Sequence, residues 1–422
     1  MTIKVSKNRI DFGATGIKNY AESVNALGNV TGAVTIDYSL GQVVTARATG
    51  AVTWTITNPP ASGKTGSLTL VLTNGGAYTQ TWMSGTKWPW ETAPTLTASG
   101  IDVLSFFTID AGTTWRAVAA IQNITAANYG YFAGGNSGSY AATADRITFS
   151  TGATSVNTVS NLSQARLGLA GLSDATTYGY FAGGNIGAVT VTADRITFST
   201  GATVANTVSN LSQARYYLAG LSDATTYGYF AGGYTGAYVA TADRVTFSTG
   251  ATAANTASNI SQARYGVAGL SSSSTYGYFA GGITSAVVAT ADRVTFSTGA
   301  TAANTASNLS QARDTLTGLS DAVTYGYFAG GETSAVVTTA DRITFSTSVT
   351  SANTVSNLSQ ARYGVAGLSS GSTYGYFAGG NSGAVVATAE RITFSTGATA
   401  ANTASNLSQA RSGLAGLSDF AV

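Results

Sequence analysis

The 422-residue chain contains no cysteine and no histidine. Disulfides, zinc sites, and thiol or imidazole catalysis are therefore excluded. Charge is also scarce, at 9% of residues against roughly 25% in ordinary globular chains. Residues 1–128 hold eight basic and six acidic side chains, whereas residues 129–422 hold twelve Arg and twelve acids. That neutral region lacks the clustered Lys and Arg that a phosphate backbone requires, so no nucleic-acid partner is expected. No apolar run reaches the length of about 18 residues that a membrane-spanning helix needs, so membrane insertion is not expected. Met1–Gly13 has no apolar core of the signal-peptide kind, which predicts synthesis in a cytoplasm.

Glycine, by contrast, occurs 51 times, and Ala, Ser and Thr fill much of the rest. The marker Tyr-Gly-Tyr-Phe-Ala-Gly-Gly begins at Tyr129, Tyr178, Tyr227, Tyr276, Tyr325 and Tyr374, a constant step of 49 residues. All five Lys, five Trp, four Pro and two Met precede residue 129, so the composition changes where the repeats begin. Within one copy, Arg166–Leu172 alternates small and apolar residues, Tyr178–Ala182 is aromatic-rich, and Asp194–Thr200 sets Ile196 and Phe198 opposite Arg195 and Thr197. The alternation in Asp194–Thr200 is the period-two signal of a half-buried strand, and Gly-rich turns separate the segments. With Asn206–Leu211 closing the unit, they predict four short strands, A to D, per copy.

A unit of this length built from four strands fits one blade of a propeller. The copies resemble kelch repeats in Arg166 before strand A, Gly183-Gly184 after strand B and Phe198 in strand C. They depart from that family in strand D, where Val156, Ala205, Ala254, Ala303, Ala352 and Ala401 stand at the position of its Trp. The expected fold is all-β: a six-bladed kelch-like β-propeller over residues 125–422, preceded by a small β-rich module. Because the first copy starts at strand B and the chain finishes in a strand A, Ser412–Asp419, the last strand is expected to complete the first blade. Closure of that kind removes open sheet edges.

In the first part, Val52–Ile56, Ser67–Thr73 and Ile101–Ile109 show strand patterns. Thr57–Gly76, the Trp-rich Thr81–Trp90 and Ala93–Val118 resemble modules of tailed-phage fibre and appendage proteins. That resemblance implies an attachment segment (residues 1–25), a virion-attachment module (26–124), contacts with other virion proteins and a place in the virion, assembled in host cytoplasm. It also implies a homotrimer, although a closed propeller can stand alone. The five Trp are expected in a core or a trimer interface.

The acid–Arg steps Asp145-Arg146 and Asp194-Arg195, and the Arg of Ser-Gln-Ala-Arg at Arg166 and Arg215, recur in every blade. Six identical joints account for them better than a binding site does, each acid pairing with an Arg. Asp174 and Asp223 give way to Ser272 and Ser370 in other copies, and read as turn formers, not Ca²⁺ ligands. Asp314 and Glu332 alone break the pattern of acids, and are expected to be solvated loop residues and not a catalytic pair.

Variation concentrates at two positions. One follows Gly-Gly: Asn136, Asn185, Tyr234, Ile283, Glu332 and Asn381. The other follows Ser-Gln-Ala-Arg: Leu167, Tyr216, Tyr265, Asp314, Tyr363 and Ser412. In an up-and-down blade both loops emerge on one face, which makes Asn136, Asn185, Tyr234, Ile283, Glu332, Asn381, Tyr216, Tyr265, Asp314 and Tyr363 candidate receptor contacts. The expectation is a non-enzymatic tail fibre or similar appendage that binds a host glycan or protein, with no cofactor or metal. A head-decoration protein, a bacterial propeller adhesin and a glycan-degrading enzyme are the alternatives.

Overall fold

The computed structural model describes residues 4–6, 9–11, 23–98, 100–124 and 128–419. The chain divides into two compact units, Met1–Ala126 and Ala127–Val422.

The second unit is a six-bladed β-propeller of four-stranded antiparallel sheets. In blade 2 the strands are Ala170–Ser173 (A), Tyr178–Ala182 (B), Ala193–Thr197 (C) and Ala202–Ala205 (D). Strand B is buried on both faces by the neighbouring blades, so Tyr180, Phe181 and Ala182 all lie in cores. Two predicted strands are corrected. Strand A is shorter than Arg166–Leu172, because Arg166 turns inward as a buried ion-pair partner before the strand begins. Strand D lies at Ala202–Ala205, and Asn206–Leu211 instead forms a 3-10 turn over Thr207–Ser209, where Val208 faces solvent and Leu211 the core. The end of strand D, at Val156 and Ala205, is exposed, so no Trp is needed there.

Each pair of blades is joined in the same four ways. First, Tyr of strand B stacks on Phe of the next blade, as in Tyr131–Phe198, at centroid distances of 5.9–6.1 Å and interplanar angles of 12–17°. Second, a buried Ser hydroxyl donates to a backbone carbonyl of the next blade, as from Ser160 to Gly201, at 2.6–2.8 Å. Third, the second glycine of Gly-Gly donates to the carbonyl of the Arg that opens the next blade, as from Gly184 to Arg215. Fourth, residues 168, 217, 266, 315, 364 and 413 form a closed ring around the axis, each N–H donating to the carbonyl of the preceding member at 2.6–2.9 Å. All six hold positive φ, between 48° and 68°, which suits the four glycines and strains Tyr217 and Thr315. One turn lower, the inner strands touch backbone to backbone. A Cβ at Gly220 would lie 2.4 Å from the Gly171 carbonyl oxygen, so only glycine fits.

The ring closes as the phase of the repeat requires. Ala415–Ser418 pairs with Tyr129–Ala133 as the inner strand of blade 1. The chain break falls in the turn between strands A and B, where Asp419 accepts the Tyr129 N–H at 2.7 Å across the seam. Asp174 does the same for Tyr178 within an unbroken turn.

In the first unit, Lys4–Ser6 pairs with Arg9–Asp11. The rest of the expected attachment segment up to residue 22 lies outside the described residues. Val24–Asp37 and Val43–Thr57 are parallel neighbours, Val24 facing Val43 and Asp37 facing Thr57. Residues 38–42 are too few for an ordinary crossover, so the strands themselves coil, with irregularities around Gly28 and Gly32. Gly66–Thr73, Ile101–Thr108 and Trp115–Ile124 extend the sheet, and the short strands Gln80–Thr81 and Thr86–Lys87 bring it to seven. Trp54 and Trp115 are in its core and Trp82 and Trp88 pack on Phe106, but Trp90 lies outside the core, 96% exposed.

Candidate functional site

Strand B ends on two glycines with successive positive φ, 69° at Gly183 and 111° at Gly184. The first also sits where a Cβ would come within 2.7 Å of the Arg215 carbonyl. This double left-handed turn folds the chain back so that the next residue bridges to the residue after Ser-Gln-Ala-Arg. The two variable positions are thus paired with each other in every blade: Leu167–Asn185, Tyr216–Tyr234, Tyr265–Ile283, Asp314–Glu332, Tyr363–Asn381 and Ser412–Asn136. All six pairs stand at one end of the inner strands.

The face they form is not sixfold. Asn136, Asn185 and Asn381 each direct the side-chain oxygen to the backbone N–H two residues on, so part of each amide is occupied in shaping its own turn. Blades 3 and 4 carry tyrosine instead. Tyr216, Tyr217, Tyr234, Tyr238 and Tyr265 form one cluster with ring centroids 5.0–6.0 Å apart, Tyr238 stacked on Tyr265 at 5.4 Å. Tyr217 and Tyr238 were not among the candidates from sequence. Tyr217 replaces glycine in the axial ring, and this break in the repeat is the signal that marks it. Its ring lines a cavity of about 160 Å³ in the mouth of the central channel. A second cavity of about 130 Å³ lies beyond the inner glycines, toward the opposite end.

Asp314 is not solvated as expected. It is 8% exposed, because Gly266 of the preceding blade leaves room for its carboxylate to pack inward. Burial, and then the charge of Glu332 opposite, push its carboxyl up to about 6. A folded-state pKa above the unfolded value favours folding at acid pH and is lost as the pH rises through about 6. Asp314→Asn should therefore raise the melting temperature relative to wild type at about pH 8, with the gain shrinking toward about pH 5 in thermal melts.

The repeated charges are structural. Arg215 Nη2 donates to Asp243 Oδ2 at 2.7 Å and to the Phe230 carbonyl at 3.0 Å, while Nη1 donates to Thr241 Oγ1 at 2.9 Å. Arg166–Asp194 and Arg411–Asp145 are equivalent, the latter across the closing seam. Burial lowers the pKa of each of these Arg, opposed by the facing carboxylate. The Arg beside each acid acts differently. Arg146 and Arg195 lie over the rings of Tyr129 and Tyr178 at 4.2 Å. Asp174 accepts the N–H groups of Thr176, Thr177 and Tyr178, as a turn former does. Among the described residues no group of three or more Asp and Glu is placed to hold a metal ion. No protein-family model matches the chain, and the search of curated proteins finds no match either.

Proposed function

We propose that this protein is a virion component of a tailed phage, a tail fibre or similar appendage, whose propeller binds the host cell surface without catalysis. The observation that carries the reading is the pairing of the two most variable positions, blade by blade, on one face of an otherwise uniform scaffold. Near-identical joints hold that face rigid, and loops on a rigid scaffold are where binding sites concentrate. Tyrosine and amide side chains there suit sugar rings and hydroxyls. Attachment through the first unit rests on its resemblance to phage appendage modules, and its exposed apolar side chains Phe107, Val118 and Ile121 offer a docking surface. A head-decoration role uses the same parts.

The test is binding of the labelled protein to arrayed bacterial glycans and whole cells. Wild type should bind, and Tyr238→Ala with Tyr265→Ala should weaken binding about tenfold or more, as loss of aromatic anchors does, with the melting temperature little changed. Equal binding by the variant, or no binding by wild type, contradicts the reading. Asp314 beside Glu332 is the feature that favours a glycan-degrading enzyme, for which release of reducing ends from a bound polysaccharide is the diagnostic.

A further inference from the structure

The charges of the propeller can be assigned nearly in full. Of its twelve Arg, six lie in buried ion pairs and six lie over tyrosine rings. Of its twelve acids, six are the partners in those ion pairs. Four more, Asp174, Asp223, Asp321 and Asp419, cap turns by accepting backbone N–H groups. Two carboxylates remain, Asp314 and Glu332, and they are each other's neighbours. Asp314 N–H donates to the Glu332 carbonyl and Glu332 N–H to the Asp314 carbonyl, both at 3.0 Å. Residues directly opposite in an antiparallel pair have Cβ atoms about 5 Å apart on the same side.

No Arg is left to neutralise them. The Asp314 side chain is buried and accepts no hydrogen bond from the side chain of any other described residue. Its Oδ2 points toward Gly266, which lines the channel mouth. An unpaired carboxylate in such a place is costly unless a cation reaches it. Beside the pair stands the tyrosine cluster, with Tyr265 and Tyr217 near enough to feel the charge of Asp314. Aromatic faces attract cations, preferably ones carried on an apolar or CH-rich frame. Two carboxylates fall short of the six to eight oxygens that Ca²⁺ takes, and the tyrosine faces beside them suit an organic cation.

We propose that the patch formed by Asp314, Glu332, Tyr217, Tyr238 and Tyr265 binds a glycan bearing a protonated amine, the ammonium group between the two carboxylates and the sugar ring against tyrosine. This rests on the binding reading above and names the ligand class for that same face. It also makes the propeller a one-site binder in spite of its sixfold repeat, since no other blade carries an acid at either variable position.

Isothermal titration of the full chain with oligomers of glucosamine and of N-acetylglucosamine, equal in length, is the test, because acetylation removes the charge and keeps the ring. The amine form should bind at least about tenfold tighter, the scale of one charge-assisted contact. Asp314→Asn with Glu332→Gln should abolish the preference while raising the melting temperature, whereas a merely structural pair would lower it on removal. Val208→Ala, in the exposed turn after strand D and outside the variable face, should leave affinity unchanged. Equal affinity for the two oligomers, a preference that survives in the double variant, or no binding of the amine oligomer overturns the proposal. If any of these occurs while arrayed glycans or cells are still bound, the receptor-binding reading stands and only the ligand class is wrong.

Discussion

Removal of residues 412–422 will open the propeller. The truncated chain loses the inner strand of blade 1, and with it the partner of Tyr129–Ala133. Leu414 and Leu417, both buried, contribute about 1.5–3 kcal/mol each. The axial ring loses the two backbone hydrogen bonds at Gly413, at 2.7 and 2.8 Å. At about 2–4 °C per kcal/mol for a large domain, the melting midpoint should fall by about 10 °C or more, or the cooperative transition should vanish. Strand B of blade 1 would then present an unpaired edge, so aggregation should follow on concentration. A truncated protein that melts as wild type does, monitored by circular dichroism, would mean that the seam carries little of the stability.

The second large effect is expected at Arg215. Arg215→Ala leaves the Asp243 carboxylate wholly buried, with only the Ser212 N–H at 3.1 Å as a remaining partner. Loss of one member of a buried ion pair costs about 3–5 kcal/mol. The stranded Asp243 would prefer to be protonated, so the deficit should grow as the pH rises and shrink as it falls. Replacing both partners, Arg215→Met with Asp243→Leu, should recover most of the loss, since the pair's attraction roughly offsets its desolvation. Denaturant melts of the two variants at two pH values decide this. A small, pH-independent effect for Arg215→Ala would show that water reaches the joint.

Much of this architecture is legible in the residues because the repeat fixes it several times over. Strand C carries a period-two signal and strand B an aromatic-rich run, Gly-Gly marks the double left-handed turn, and the phase of the copies at the two ends predicts which strand closes the ring. Strand D escapes because Ala202–Ala205 is short and small, with weak preference of its own; its position is set by pairing with strand C. Arg195 stacks on a tyrosine contributed by strand B, a contact between strands that neighbouring residues in sequence do not announce. The axial ring is hidden because Tyr217 and Thr315 stand where glycine is expected. Asp314 and Glu332 draw attention by breaking the pattern, yet the burial of Asp314 depends on Gly266 of the preceding blade and is invisible locally. In the first unit only Val52–Ile56 of the strand Val43–Thr57 is anticipated, and its parallel pairing to Val24–Asp37 is not, since register between strands is a property of the coil and not of either segment.

The absence of cysteine makes one measurement unusually direct. Asn136 and Ser412 are bridged across the seam, each N–H donating to the other's carbonyl, at 2.8 and 3.0 Å. Such pairs hold Cα atoms about 5.5 Å apart, within the range a disulfide spans. Asn136→Cys with Ser412→Cys should therefore form an intramolecular disulfide on mild oxidation, at monomer mass, and raise the melting temperature. The same bond would tie one variable position directly to the other on the face proposed to bind. Thiols that stay free in the folded protein, or that link only separate chains, would contradict a closed ring and with it the shared face.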